Sequence, residues 1–447
     1  MRQALMRLLR IQSGEGSLVF VLGFVLLINS IAMQIAGIVS VSGFLNAGGV
    51  NQILLILFID YALIMLLGGL QSLIVDRFDR VKLIRWATLA FAVIFLVLRV
   101  MFWIGAPDWL NYSLMYLIAE QQYVLYPLIF WVLANDIFKL DQSKRLFPVI
   151  SSWNFVGKLL GIGIAAISPS IFLALGIPLE EILLINIVIY LVAYVLITMG
   201  LRNVDIRKTV QQSEPIRKTL REGWDFMTDV PSFRFMMYAI LFLAVADTII
   251  EFRFLVVSDA IFTTQASYQQ FFSLYRLGVT VVALGIQAFI TSRMITAMEL
   301  KNTFFIFPAA ALIGAIGMIL LPGLSMAVIA MVTVKLVRDT VDESGRKSFQ
   351  GLVPEERRGR VSTMMESYLP SVGTMLACVV AGAIVIIGLV QNRDMSIVYL
   401  AVAVLASIGA FWAILRLRSV YESSLLSWRL KRRQRRTDSV LLKKLES

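Results

Sequence analysis

Residues 334–373 read VKLVRDTVDESGRKSFQGLVPEERRGRVSTMMESYLPSVG and follow directly on the apolar run SMAVIAMVT. Lys335, Arg338, Asp339, Asp342, Glu343, Arg346 and Lys347 follow one another at offsets of 3, 4, 7, 8, 11 and 12 from the first. That spacing places the charges along one side of an α-helix. A polar stripe on an otherwise apolar helix faces something other than lipid. The rest of the chain must therefore build a polar interior for this helix.

Composition agrees. Of the 447 residues 59% are hydrophobic and only 16% charged, where soluble domains run near a quarter charged. Mean hydropathy is +0.81. Many apolar runs exceed the ~20 residues that cross a bilayer. The reading is an all-α, multi-span membrane protein. Twelve spans are expected, at roughly 17–42, 52–74, 83–104, 110–135, 149–175, 179–200, 235–258, 267–292, 303–321, 324–349, 361–390 and 396–416.

Loop charge sets the orientation. Segments on one side, both termini included, carry 34 Lys and Arg, and the opposite loops carry Arg393 alone. Both ends of the chain are expected in the cytoplasm, with the protein in the plasma membrane, the inner membrane of a bacterium. The chain also repeats itself. DRFDRVK (76–82) precedes TSRMITAMELK (291–301) by about 216 residues. DQSKRLFPVISSWNFVG (141–157) aligns loosely with PEERRGRVSTMMESYLPSVG (354–373) at a similar offset. Two six-span halves, 1–200 and 235–416, joined by a cytoplasmic linker at 201–234, fit this repeat. In the linker Ile216, Leu220, Trp224 and Met227 recur at helical spacing, as either a helix on the inner leaflet or a solvated tether. The polybasic tail, 417–447, is read as attracted to anionic lipid headgroups and not to nucleic acid.

Ionisable residues inside spans cost at least ~2.5–3.5 kcal/mol each at mid-depth, so those retained are candidates for function. Lys158 lies well inside span five, between Gly157 and Gly161, a spacing that allows close helix approach. Either it holds an anionic substrate or it closes an ion pair, for instance with Glu120. Glu120 and Gln121 open a polar cluster in span four. Glu251 and Arg276 fall at similar depths and are expected to pair; Asp247 has no obvious partner in the sequence. On span ten, Lys335–Asp339, Arg338–Asp342 and Asp342–Arg346 can neutralise one another. Lys158, Glu120, Gln121, Arg276, Lys335 and Arg338 are the substrate candidates. Asp247, Glu251, Asp339, Asp342, Glu366, Asp76 and Arg80 are the coupling or gating candidates, the last two in a loop expected to bridge to the far end of span ten.

The chain has no His and one Cys, Cys378. It has no phosphate-cradling GxxxxGK[ST], no metal-ligand spacing and no nucleophile motif. Neither an enzyme nor a cofactor is expected, and oligomeric state is left open. Twelve spans in two pseudo-symmetric six-helix bundles with a charged DRFDRVK loop look like the major facilitator superfamily. WVLANDIFKLDQSKRLFPVISSWNFVGKLLG (131–161) resembles the span four–five region of the ATP/ADP antiporter (nucleotide transporter) family, and VDESGRKSFQGLVPEERRGRV (341–361) resembles that family's broader bacterial relatives. The resemblance implies a secondary transporter working by alternating access on a small anionic solute, nucleotides among them, held at a site near the bilayer midplane. A proton-coupled facilitator for a non-nucleotide solute and a non-transporting membrane scaffold or sensor are the alternatives.

Overall fold

The computed structural model describes residues 12, 15–75, 79–202 and 216–445. Every regular element among them is helical. Ten helices are long and apolar enough to cross a membrane: Gly16–Gly48, Val50–Leu67, Arg80–Trp103, Asp108–Ile137, Arg145–Leu175, Leu179–Gly200, Gln265–Phe289, Leu300–Leu320, Arg357–Gln391 and Ser396–Glu422. They match ten of the twelve expected spans. Spans seven and ten are helical too, Pro231–Asp259 and Leu324–Leu336 with its continuations. The first carries Asp247, Glu251 and Arg253 and the second Lys335, Arg338, Asp339 and Asp342. Charges at such depth need a polar neighbour.

Contacts divide the chain into two compact units. The first is Met1–Ser213 with Ser258–Thr280, and the second is Glu214–Val257 with Val281–Ser447. The turn between spans seven and eight, with the first half of span eight, thus counts with the first unit.

In the first unit span one is the central helix. Leu22, Val25, Ile35, Ala36, Ile38 and Val39 are all buried. Span five lies against it through Gly157 and Gly161. A Cβ at Gly157 would sit 2.5 Å from the Leu27 carbonyl oxygen, and one at Gly161 2.7 Å from that of Ile31. The expected small-residue contact is therefore backbone against backbone. Polar groups tie further spans to span one. Gln122 Nε2 donates to the Asn29 carbonyl at 3.4 Å and to the Tyr190 hydroxyl, and Tyr190 donates to Asn29 Oδ1 at 2.9 Å. At the head of span eight Gln269 Nε2 donates to the Ala165 carbonyl at 2.9 Å and to Ser168 Oγ at 3.0 Å.

At the start of span one Glu15 accepts from Arg145 Nη2 at 2.8 Å and from Gln142 Nε2 at 3.1 Å. The Arg145 guanidinium holds the Glu15 carboxyl below its ordinary value. A carboxyl depressed in the folded state contributes stability above its unfolded value, near pH 4.3, and loses it as pH falls through the folded one. Arg145→Gln should therefore flatten the fall in melting temperature between pH 5 and pH 3 and leave its shape above pH 6 unchanged. An unaltered acid limb would remove Glu15 as a contributor.

In the second unit span eleven repeats the contact of span five. A Cβ at Gly373 would meet Ala244 Cβ at 2.6 Å and the Leu241 carbonyl oxygen at 2.9 Å, both on span seven. Gly157 and Gly373 are separated by the repeat offset of about 216 residues, so the internal repeat is also a repeat of packing. The linker contains the helix Ile216–Asp229. It is neither a free tether nor only a surface helix. Phe226 and Met227 are buried with Phe233, Phe349, Val361 and Met365, each worth about 1.5–3 kcal/mol relative to exposure. Glu222 closes an ion pair with Arg360. Trp224 stays exposed, and the side chains of Ile216 and Leu220 lie outside the described residues. Span twelve runs on as one helix, Ser396–Leu445, into the basic tail.

Candidate functional site

Span ten starts after Gly323 and is a regular helix to Leu336. Val337–Asp342 then forms a π-helical turn, and α-helix resumes at Glu343–Gln350. A π-turn inserts one residue into the helical register and is frequent at functional sites. The stripe read from 3-and-4 spacing is therefore broken. Thr340, Val341 and Asp342 are buried, while Asp339 and Glu343 are exposed.

The turn aims Arg338 at span seven. Arg338 Nη1 lies 2.5 Å from Asp247 Oδ2, and Arg338 Nε donates to Asp339 Oδ1 at 2.8 Å. One turn away on the same helix, Lys335 Nζ lies 3.5 Å from Glu251 Oε1. Asp247 and Glu251 are four apart on span seven; Lys335 and Arg338 are three apart on span ten. Both spacings put the pair on one helix face, so the two spans meet through a ladder with two ionic rungs. Asp247 thus acquires the partner its sequence context did not show. Glu251 pairs with Lys335.

The ladder is not saturated. Asp247 is only 8% exposed, yet its Oδ1 has no hydrogen-bond partner. In the ladder three carboxylates, Asp247, Glu251 and Asp339, meet two cations, Lys335 and Arg338. Further along span ten Asp342 binds Arg346 at 2.9 Å and Lys347 binds Glu343 at 2.5 Å. Span eleven holds a second π-turn, Met364–Tyr368, carrying Glu366, whose Oε1 accepts from Gln350 Nε2 at 2.9 Å. Both π-turns thus carry charges singled out in the sequence.

The other candidates lie in the first unit. Lys158 is half-buried on span five, beside the two glycines that press on span one. Gln121 Nε2 donates to Asp60 Oδ1 at 3.1 Å, and Glu120 precedes it on span four. The Arg276 guanidinium stands 5.5 Å from the centroid of the Phe272 ring, a cation–π distance. Arg80 donates to Asp136 at the end of span four. Asp76 lies outside the described residues. Sequence reasoning missed the π-turns and the pairing of Arg253 Nη1 with the Tyr399 hydroxyl at 3.2 Å. A π-turn has no spacing signature of its own, and the Arg253–Tyr399 contact joins residues far apart in the chain.

No family model matches the sequence, and no curated protein does. The fold has close company. A bacterial homologue of the iron transporter ferroportin, in an inward-facing state, superposes with a TM-score of 0.62 at 15% identity, covering 91% of this chain and 100% of that one. The nucleoside transporter NupG gives 0.59 at 13% identity, over 90% and 99%. A POT family peptide transporter gives 0.60 at 11% identity, over 88% and 96%. The chain therefore has the all-helical major facilitator-type fold. The resemblance to the ATP/ADP antiporter family finds no counterpart among these matches.

Proposed function

We propose that the chain is a secondary transporter working by alternating access on a small anionic solute. The observation that carries this reading is the two-rung ladder. Arg338 and Lys335 are cations in membrane-spanning helix, each held by a carboxylate that an anionic group of a solute can replace. Binding then gives each cation a new ionic partner, and the displaced Asp247 and Glu251 must take up a proton or water in its place. Nucleotides belong to the first panel because the sequence around 131–161 suggests them. The Lys and Arg asymmetry supports both termini in the cytoplasm of a plasma membrane, and the basic tail supports contact with anionic lipid.

A second reading has its own observation. Carboxylates outnumber cations in the cluster, and Asp247 Oδ1 is open, which favours a neutral or cationic solute moving with a proton.

Proteoliposomes loaded with and without solute should be tested for uptake of labelled ATP, ADP and simple organic anions. Saturable anion uptake is expected, and Lys335→Gln should lower its kcat/KM about tenfold or more, the loss of a charged hydrogen bond worth about 1.5–3 kcal/mol. Uptake confined to cationic or neutral solutes selects the second reading. A folded protein that moves nothing across a broad panel selects the scaffold or sensor.

A further inference from the structure

Asp60 on span two is the most deeply buried acid among the described residues, at 1% exposure. Its Oδ1 accepts from the neutral Gln121 amide at 3.1 Å. Among the described residues no Lys or Arg pairs with it. A carboxylate taken out of water costs several kcal/mol unless a positive charge or full hydrogen bonding offsets it. One amide N–H does neither. Glu120, next to Gln121 on span four, lies close enough for its charge to act on Asp60, and it adds negative potential where positive is needed.

The amide supplies the second observation. Gln121 is 8% exposed, and its Oε1 is buried with no hydrogen-bond partner. An ionised carboxylate only accepts, so Asp60 takes the amide N–H and leaves the amide oxygen over. The Asp60 carboxylate, which takes one amide N–H and no cation, therefore stands beside a Gln121 carbonyl that no donor fills. Oxygen donors of this kind suit a small hard cation. A divalent ion in a protein cage usually draws on several carboxylates among six or more oxygens. Among the described residues no group of three or more His, Cys, Asp or Glu is placed to hold a metal.

We infer that Asp60 and Gln121, with Glu120 beside them, form a binding site for a small monovalent cation, sodium above all, within the first unit. The bound ion neutralises Asp60 and fastens span two to span four. The site is separate from the ionic ladder of the second unit, and it is assayed with no transported solute. Its fate is thus independent of the transport reading.

The test uses the full-length protein in detergent at pH 7.5. NaCl replaces choline chloride at constant ionic strength, and unfolding is followed by tryptophan fluorescence. An ion that binds only the folded state must raise the melting temperature, with saturation. The wild type is expected to show this rise. Asp60→Asn should abolish it, and Gln121→Ala should weaken the apparent sodium affinity about tenfold. Equal melting in sodium and choline overturns the proposal. So does a shift that survives in Asp60→Asn. A melting temperature that follows pH but ignores sodium assigns the neutralising charge to a proton and overturns it too. If Asp60→Asn does not fold, the wild-type titration and Gln121→Ala decide.

Discussion

Arg338→Ala is expected to destabilise the protein by about 3–5 kcal/mol, the usual cost of removing one member of a buried ion pair. The substitution strips Asp247 of its cation while leaving it 8% exposed. It also frees Asp339 from Arg338 Nε, at little cost because Asp339 is exposed. Unfolding in detergent, read as a shift in melting temperature or denaturant midpoint, measures the loss. The double variant Arg338→Met with Asp247→Leu should recover most of it, since apolar side chains of similar size often replace a buried pair without penalty. Uptake should stay abolished in the double variant. A stable double variant that still transports at the wild-type rate would reduce the ladder to scaffolding and remove the main support for the proposed function. A loss below about 1 kcal/mol for the single variant would mean that solvent already screens the pair.

Gly157→Leu should be as damaging for a steric reason. Even a Cβ at this position would sit 2.5 Å from the Leu27 carbonyl oxygen and 2.8 Å from Ser30 Cβ. A carbonyl in a helix cannot rotate aside, so span five must move off span one. Inserting carbon into a packed core costs about 1–3 kcal/mol and occasionally more; a side chain of four carbons against backbone belongs at the top of that range. Gly373→Leu should behave alike, because its Cβ would meet Leu241 and Ala244 on span seven. Gly163 and Gly382 lie on the same two helices with nothing within 4 Å of a Cβ. Alanine at either should be neutral or stabilise by up to ~1 kcal/mol through helix propensity. Folded yield after size-exclusion chromatography and melting temperature together check all four. Equal tolerance at the four glycines would show that the close approach of spans five and eleven is not needed.

Much of this was readable before any coordinates. The apolar runs carry their own secondary structure, because inside a bilayer every backbone group must be satisfied within its own segment. Most helices therefore begin and end near the expected positions; span one, Gly16–Gly48 against 17–42, span five, Leu140–Leu175 against 149–175, and span twelve, Ser396–Leu445 against 396–416, run longer. The charged residues of spans seven and ten were likewise visible as candidates, since lipid would reject them. The linker helix was half legible. Its periodicity was present, but its anchoring through Phe226, Met227 and the Glu222–Arg360 pair depends on a surface built elsewhere in the chain.

Partnership is what the sequence left open. Helical spacing ranks Lys335–Asp339 and Arg338–Asp342 as natural pairs, because residues four apart are neighbours on any α-helix. The π-turn at Val337–Asp342 carries Arg338, which meets Asp247, while Lys335, in the regular helix before it, meets Glu251. Nothing local in the chain announces that turn or chooses between Arg276 and Lys335 as the partner of Glu251. On its own, the sequence determined which segments are helices and which residues lipid cannot accommodate, because both follow from transfer energies and periodicities that act residue by residue. Which charges meet, and which buried oxygens are left over for a ligand, was decided by the tertiary structure alone, since each depends on the rotation of one helix against another.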